Sequence, residues 1–331
     1  MKPPTEAMFV SIIVCTYVRG EALARLLACL PGQTHPNFEV LVIDGSGNDP
    51  SVRKAVSDFV AQLPAPLNLR LIQSAKGLTR QRNVGIRAAR GEVACFLDDD
   101  VTVDEHFLKQ VVALFAHPSL KDVGGMTAFD MRNYPTPVTL RWRLRRWFRV
   151  VPDLVPGAID RLGRAVPVSF LEPFSGVKNI GYLPGFCMLY RRAALSTEWF
   201  DEDLPTYAGE DRDFSFRVGR SWRLVISGDL HVKHHYALQS RKSDVQRVYQ
   251  DGFGSGRVFA KHARWFDGLE LVRFLILDFF VSLLAMVQKP SAARVRTAFA
   301  RTAGIISGYL SWPPAVSRSS GVRGAPAQDL K

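Results

Sequence analysis

Several features are scarce in this 331-residue chain, and each scarcity closes off a class of protein. Cysteine is the first: Cys15, Cys29, Cys95 and Cys187 stand far apart with no C-x-x-C pair. That pattern argues against a disulfide framework or a thiolate zinc site. Most of these thiols lie in apolar runs or helical faces, so buried, reduced cysteines and a cytoplasmic compartment are expected. Long apolar runs are also missing. Within the apolar segment that starts at Leu269, the longest charge-free stretch, Phe279 to Gln288, falls far short of the ~20 residues that span a bilayer. Met1 to Met8 is polar and proline-bearing and does not read as a secretory leader. Acid is in deficit, with 31 Asp and Glu against 43 Lys and Arg and a net charge of +12. A basic surplus of this size predicts an anionic partner, whether phosphorylated substrate, acidic lipid or nucleic acid. No nucleic-acid-binding module accompanies the arginines, so nucleic acid is not expected.

What is present begins with alternation. Val10 to Cys15 is a short, β-branched apolar run ending at Thr16, and Glu21 to Leu30 has helical spacing up to Pro31-Gly32. Phe38 to Ile43 reads as a second strand, closed by Asp44-Gly45-Ser46-Gly47. A helix over 51–62, a strand over 69–72, a helix over 78–89 and a strand from Val93 complete the first hundred residues. Strand and helix repeated in this way predict an α/β fold with a mostly parallel, doubly wound sheet. Ligands bind such sheets at the carboxyl ends of strands, where Thr16, Asp44 and Asp98-Asp99-Asp100 all fall.

The triplet Asp98-Asp99-Asp100 is the most pointed of these. Closely packed carboxylates repel and raise one another's pKa unless a cation sits among them. Hard oxygen ligands suit Mg²⁺ or Mn²⁺, which in turn bridge nucleotide phosphates. The plainer alternative is an acidic loop that caps the next helix. Asp44 can accept from a nucleoside or simply close its turn. Glu210-Asp211, after Gly209, can supply a general base or merely favour a helix N-terminus. The basic helix start around Arg82 and Asn83 can meet a diphosphate. His234 is a candidate metal or phosphate contact, with a structural role as its alternative.

From about residue 130 to 180 prolines break the pattern around Leu140 to Val151, a basic segment with five arginines. On a helical wheel Leu140, Leu144, Trp147, Phe148 and Val151 share one face. Such a helix either lies in an anionic membrane interface or packs its apolar side on the domain. Leu269 to Val287 and Ala292 to Leu310 read as helices, the first with Glu270, Arg273, Asp278 and Ser282 crowded on one side. The expected organisation is an α/β domain over 8–235, with an insertion at 130–180 that carries the basic helix. A helical membrane-associating region over 236–312 and a disordered tail over 313–331 follow.

Taken in order, these segments resemble the family 2 glycosyltransferases, inverting enzymes of the GT-A fold. The resemblance runs from Val10 to about His235. It rests on Ser11 to Tyr17, Val42 to Ser46, Arg82-Asn83-x-Gly85, Phe96 to Asp100, Leu183 to Arg192 and Gly209-Glu210-Asp211-x-Asp213-Phe214. It implies a nucleotide-sugar donor, with Thr16, Asp44, Arg82, Asn83, Asp98 and Asp99 around the nucleotide. It further implies Asp98 and Asp100 on Mg²⁺ or Mn²⁺, Asp211 as catalytic base and Glu210 in support. Gly185, Phe186, Cys187 and Met188 would line the side of a glycan or lipid-linked acceptor. The family's common Asp-Asp-Gly-Ser turn departs here to Ile43-Asp44-Gly45-Ser46. The enzyme so implied would sit peripherally on the inner, cytoplasmic face of the cell membrane. A nucleotidyltransferase of related fold and a non-catalytic membrane-bound scaffold are the rivals.

Overall fold

The computed structural model describes residues 8–63, 67–151, 153, 155–160, 163–204, 208–236, 244–263, 267–284 and 291–312. The expected disordered tail lies outside these residues.

The first half alternates β1 (Val10–Thr16), α1 (Gly20–Leu27), β2 (Phe38–Asp44), α2 (Ser51–Ala61), β3 (Leu69–Gln73), α3 (Leu78–Ala88) and β4 (Val93–Asp98). Strand β1 runs parallel to both β2 and β4, pairing Thr16 with Asp44 and Cys15 with Asp98. That register sets all three strand-end residues at one edge. A short β5 (Val101–Thr102), α4 (Phe107–Ala116) and β6 (Val123–Asp130) follow, then α5 (Leu140–Trp147) and β7 (Val177–Asn179). The remaining elements of this part are β8 (Cys187–Arg191), α6 (Arg192–Leu195), α7 (Glu210–Val218) and β9 (Arg223–His234).

The hydrogen-bonded strand order is β3-β2-β1-β4-β8-β6-β9-β5, with β7 on β9. The sheet is parallel through β4, and β8 then runs antiparallel to both β4 and β6. The reason is topological. The segment after β6 begins and ends at the site edge without a crossover helix, so the chain must run back down the sheet. Both faces are covered, so the inner strands are continuously apolar. Ile12 and Val14 pack on one side with Leu23, Leu26 and Val111, while Ile13 packs on the other with Phe96, Tyr190 and Phe214. Cys95 and Cys187 are buried, whereas Cys15 and Cys29 are only partly so.

Three helices complete the described chain: α8 (Asp244–His262), α9 (Gly268–Leu284) and α10 (Ala292–Leu310). Gly252 and Gly256 of α8 face Gly304 and Gly308 of α10, and a Cβ on any of them would overlap the facing backbone. The two helices therefore touch main chain to main chain, the small-residue packing best known between membrane helices. No helix among the described residues is long and apolar enough to cross a membrane.

The basic helix is shorter than expected. It stops at Trp147, and Arg149 takes a left-handed φ of 51°. Its arginines are not all on the outside either. Asp278 of α9, 2% exposed, binds Arg145 at 2.7 Å, Arg301 at 3.1 Å and Arg141 at 3.4 Å. Leu144 and Phe148 pack beside them, while Trp147 is 81% exposed. Helix α5 thus packs partly through its charged side. The polar side of α9, Asp278 and Ser282, faces inward, leaving Leu269, Val272, Ile276, Phe280 and Leu283 as an exposed apolar stripe.

Candidate active site

The site forms where β1, β4 and β9 end. After Asp98 the backbone turns through Asp99 and Asp100 into β5, which pairs antiparallel with the end of β9, Val101 opposite His234. The same pairing lets the His235 amide donate to the Asp100 carbonyl at 2.9 Å. A histidine more than a hundred residues away is thereby fixed beside the acidic turn.

The three acids diverge. Asp99 turns inward, accepting from Thr16 Oγ1 at 2.8 Å and Arg19 Nη1 at 2.7 Å. Burial pushes its carboxyl up to about 6, against the pull of Arg19. Asp98, Asp100 and His234 instead converge, each offering one ligand atom within 4.8 Å of the others. His234 Nε2 lies 3.1 Å from Asp100 Oδ1, and its ring stacks on Phe186 at 5.1 Å. Burial works against a charged imidazole here, but the bond to Asp100 and the charge of Asp98 outweigh it and raise its pKa. Burial also raises Asp98, with Arg82 opposing from 3.9 Å. Two carboxylates and an imidazole, crowded and partly shielded from water, form a donor set that fits a divalent cation.

Across the cleft, α7 opens with Gly209 at φ 102°, a conformation that favours glycine, and its first turn carries Glu210 and Asp211. Arg82, 2% exposed, binds Glu210 at 2.9 Å and lies 5.1 Å from the Phe200 ring. Burial, reinforced by Asp211, pushes the Glu210 carboxyl up to about 7. Asp211 accepts from the Gly185 amide at 3.1 Å and the Arg212 amide at 2.8 Å. In the same first turn, buried Asp213 binds His262 at 2.8 Å and Lys261 and Arg217 at 3.0 Å, locking α7 to α8.

A cleft of about 980 Å³ collects Thr16, Arg82, Asp98, Asp99, Asp100, Gly185, Phe186, Glu210, Asp211 and His234 on its walls. Four expected site residues do not reach it. Asp44 is fully buried and closes its own turn, accepting from the Ser46 amide at 2.8 Å and Gln73 at 2.9 Å. Asn83 is spent on the 200–202 loop, with bonds to both backbone atoms of Phe200 and to Glu202. Cys187 and Met188 have no exposure at all, because β8 lies between β4 and β6 and its side chains are core. The walls add Arg80, from the basic helix start, and Arg19, Lys76, Tyr236 and Arg247, which sequence reasoning missed. Arg19 had a signal, lying just beyond a strand end that carried a candidate. Arg247, on a helix with no motif, had none.

A second cavity of about 470 Å³ meets the first at Ala208, Asp211 and Asp251. Its walls come from α5, the 163–167 segment, α7 and the C-terminal helices.

A parallel αβ unit with an acidic strand-end turn, faced by a carboxylate on a separate helix, is the layout of a ligand-binding α/β enzyme whose site lies at the carboxyl ends of its strands. Residues 11–199 match the family described as glycosyl transferase family 2, and the chain belongs to that family. It is 26% identical over 322 residues to the succinoglycan biosynthesis protein ExoM of Rhizobium meliloti (strain 1021), covering 93% of this chain and 94% of that one. It is 21% identical over 254 residues to chondroitin synthase of Escherichia coli, covering 72% of this chain but only 36% of the synthase. Two further glycosyltransferases are likewise covered over just 33% and 41% of their lengths. In fold it is similar to the mannosyltransferase PcManGT from Pyrobaculum calidifontis, solved in complex with GDP-Man and Mn²⁺. The TM-score is 0.57 at 17% identity, covering 93% of this chain and 88% of that one. The expected GT-A α/β fold with C-terminal helices is the fold found.

Proposed function

We propose that this chain transfers a sugar, with inversion, from a nucleoside-diphosphate sugar to a hydroxyl of a glycan or lipid-linked acceptor. The observation that carries the reading is the position of Asp211, which faces the Asp98, Asp100 and His234 cluster across one cleft and borders a second cavity behind it. A donor in the first and an acceptor in the second would meet at that carboxylate.

Asp211 takes the proton of the acceptor hydroxyl as its oxygen attacks the anomeric carbon opposite the diphosphate. The bond between that carbon and the diphosphate oxygen breaks, and the configuration inverts. The Gly185 and Arg212 amides hold the carboxylate in one orientation for this step. Arg82, tied to Glu210 and 3.9 Å from Asp98, directs positive charge toward the departing diphosphate. Asp98, Asp100 and His234 would hold Mg²⁺ or Mn²⁺, whose charge offsets that building on the leaving group. The Mn²⁺ and GDP-Man bound to the similar PcManGT support a cation and a nucleotide sugar here. Asp99 orders the strand-end turn through Thr16 and Arg19.

The likeness to ExoM, a succinoglycan biosynthesis protein, supports an envelope polysaccharide as the setting. The apolar stripe of α9 and the exposed arginines of α5 support attachment to the cytoplasmic face of a membrane. Calorimetry with the common nucleoside diphosphates, with and without Mn²⁺, tests the core of the proposal. At least one is expected to bind in a metal-dependent manner; binding of none would overturn it.

A further inference from the structure

The second cavity is lined by an unusual number of guanidiniums. Arg141, Arg145, Arg164, Arg212 and Arg301 all reach it, against Asp211 and Asp251. Arg164 is matched locally, by Asp160 and by Glu270 at 2.9 Å. The other four share two carboxylates. Asp278 serves Arg141, Arg145 and Arg301, and Asp251 serves Arg301 and, at 3.8 Å, Arg212. With Asp211 counted as well, four guanidiniums face three carboxylates, and one positive charge is left over on the cavity wall. The internal segments outside the described residues supply no remedy, since none contains Asp or Glu.

Hydrogen bonding is incomplete in the same place. Arg145 is 4% exposed, and the Nε atoms of Arg141 and Arg145 have no partner among the described residues. A buried donor without an acceptor is costly, and a guanidinium's planar fork matches phosphate or carboxylate oxygens. The other walls, Trp142, Tyr182, Phe259 and Phe274, are aromatic and suit the faces of a sugar ring or a lipid chain. At about 470 Å³ the space falls in the range of small-molecule pockets.

We infer that this cavity binds an acceptor through an anionic group, a phosphate or a carboxylate, held by Arg141, Arg145 and Arg212, with the acceptor's hydroxyl presented to Asp211. The inference rests on the glycosyltransferase reading and names the substrate class of its acceptor. Burial, with added repulsion from Arg301 and Arg141, lowers Arg145 to about 10 despite Asp278, as expected of a cation short of counter-charge.

The test is equilibrium binding to the full chain in metal-free buffer of glucose 1-phosphate, glucuronate and methyl glucoside. At least one charged probe is expected to bind about tenfold or more tighter than the neutral glycoside. Which charged probe wins distinguishes a phosphate source from a carboxylate source. Arg141→Gln and Arg212→Gln should each abolish that preference while leaving nucleoside diphosphate binding with Mn²⁺ within about threefold of the parent. Equal binding of charged and neutral probes would overturn the inference, as would a preference that survives both substitutions. A chain that shows the preference but binds no nucleoside diphosphate with Mn²⁺ keeps the anion site and loses the transferase reading, so the two failures are separable.

Discussion

Neighbouring carboxylates acquire different chemistry from the direction the backbone gives them. Asp98 and Asp100 point into the cleft beside His234, while Asp99 points back to Thr16 and Arg19. Spacing in the sequence is the same for all three, so this division is illegible without the turn into β5. The place of Asp211 on the cleft wall was legible, because Gly209-Glu210-Asp211 at a helix start lies inside a motif of known order. Asp44 was misleading, since a carboxylate that ends a strand and one that closes its own turn look alike in sequence. At this scale two outcomes are expected. Asp211→Asn should leave nucleoside diphosphate affinity within about threefold and cut sugar transfer by about 10²–10⁴-fold, measured in single-turnover assays. Persistent transfer would remove Asp211 as the base. His234→Ala should weaken Mn²⁺-dependent nucleotide binding by about tenfold or more in calorimetry, whereas Asp99→Asn should mainly lower thermal stability.

An amphipathic helix shows two faces in sequence but does not say which one the fold will claim. Helix α9 reads as an apolar helix with Glu270, Arg273, Asp278 and Ser282 on one side. A polar side of that kind is ordinarily turned to water. The fold does the opposite at Asp278, because Arg141, Arg145 and Arg301, brought from two other helices, can satisfy it only inside. The close approach of α8 and α10 was equally hidden, since the two glycine pairs gain meaning only when opposed. Burial opposes ionisation of Asp278, yet the three guanidiniums hold its carboxyl well below the usual carboxylate range. Its folded pKa is depressed, so it contributes stability above the unfolded value of about 3.9 that is lost as pH falls through the folded value. Asp278→Asn should cost about 3–5 kcal/mol at neutral pH by stranding buried cations. The difference between variant and parent should shrink as denaturation is followed below about pH 4. An unchanged midpoint at neutral pH would mean the cluster adds no net stability.

The whole molecule combines a basic surface with an outward apolar edge. The net charge of +12 was legible at once, but composition alone cannot separate a surplus spent on substrate from one spent on a membrane. The structure divides it by position: Arg141 and Arg145 are turned to Asp278, while Arg143, Arg146 and Arg149 are exposed beside Trp147. The stripe on α9 from Leu269 to Leu283 and the exposed Phe299 and Leu310 of α10 extend the apolar surface. An edge of that kind suits the boundary between headgroups and acyl chains, with the exposed arginines on anionic lipid. Reversing charge at Arg143 and Arg146 should therefore weaken binding to anionic vesicles by about 1 kcal/mol or more per residue and flatten its salt dependence. Replacing Ile276 and Phe280 by Glu should weaken binding to anionic and neutral vesicles alike, because it removes the apolar contribution as well. Neither pair lines the cleft, so metal-dependent nucleotide binding provides the control for folding, needed above all for Phe280, whose ring meets Phe148. Co-sedimentation of both variants decides the matter: partitioning equal to the parent in both would leave the stripe as a surface for another protein, since an apolar edge of this extent is rarely left to water.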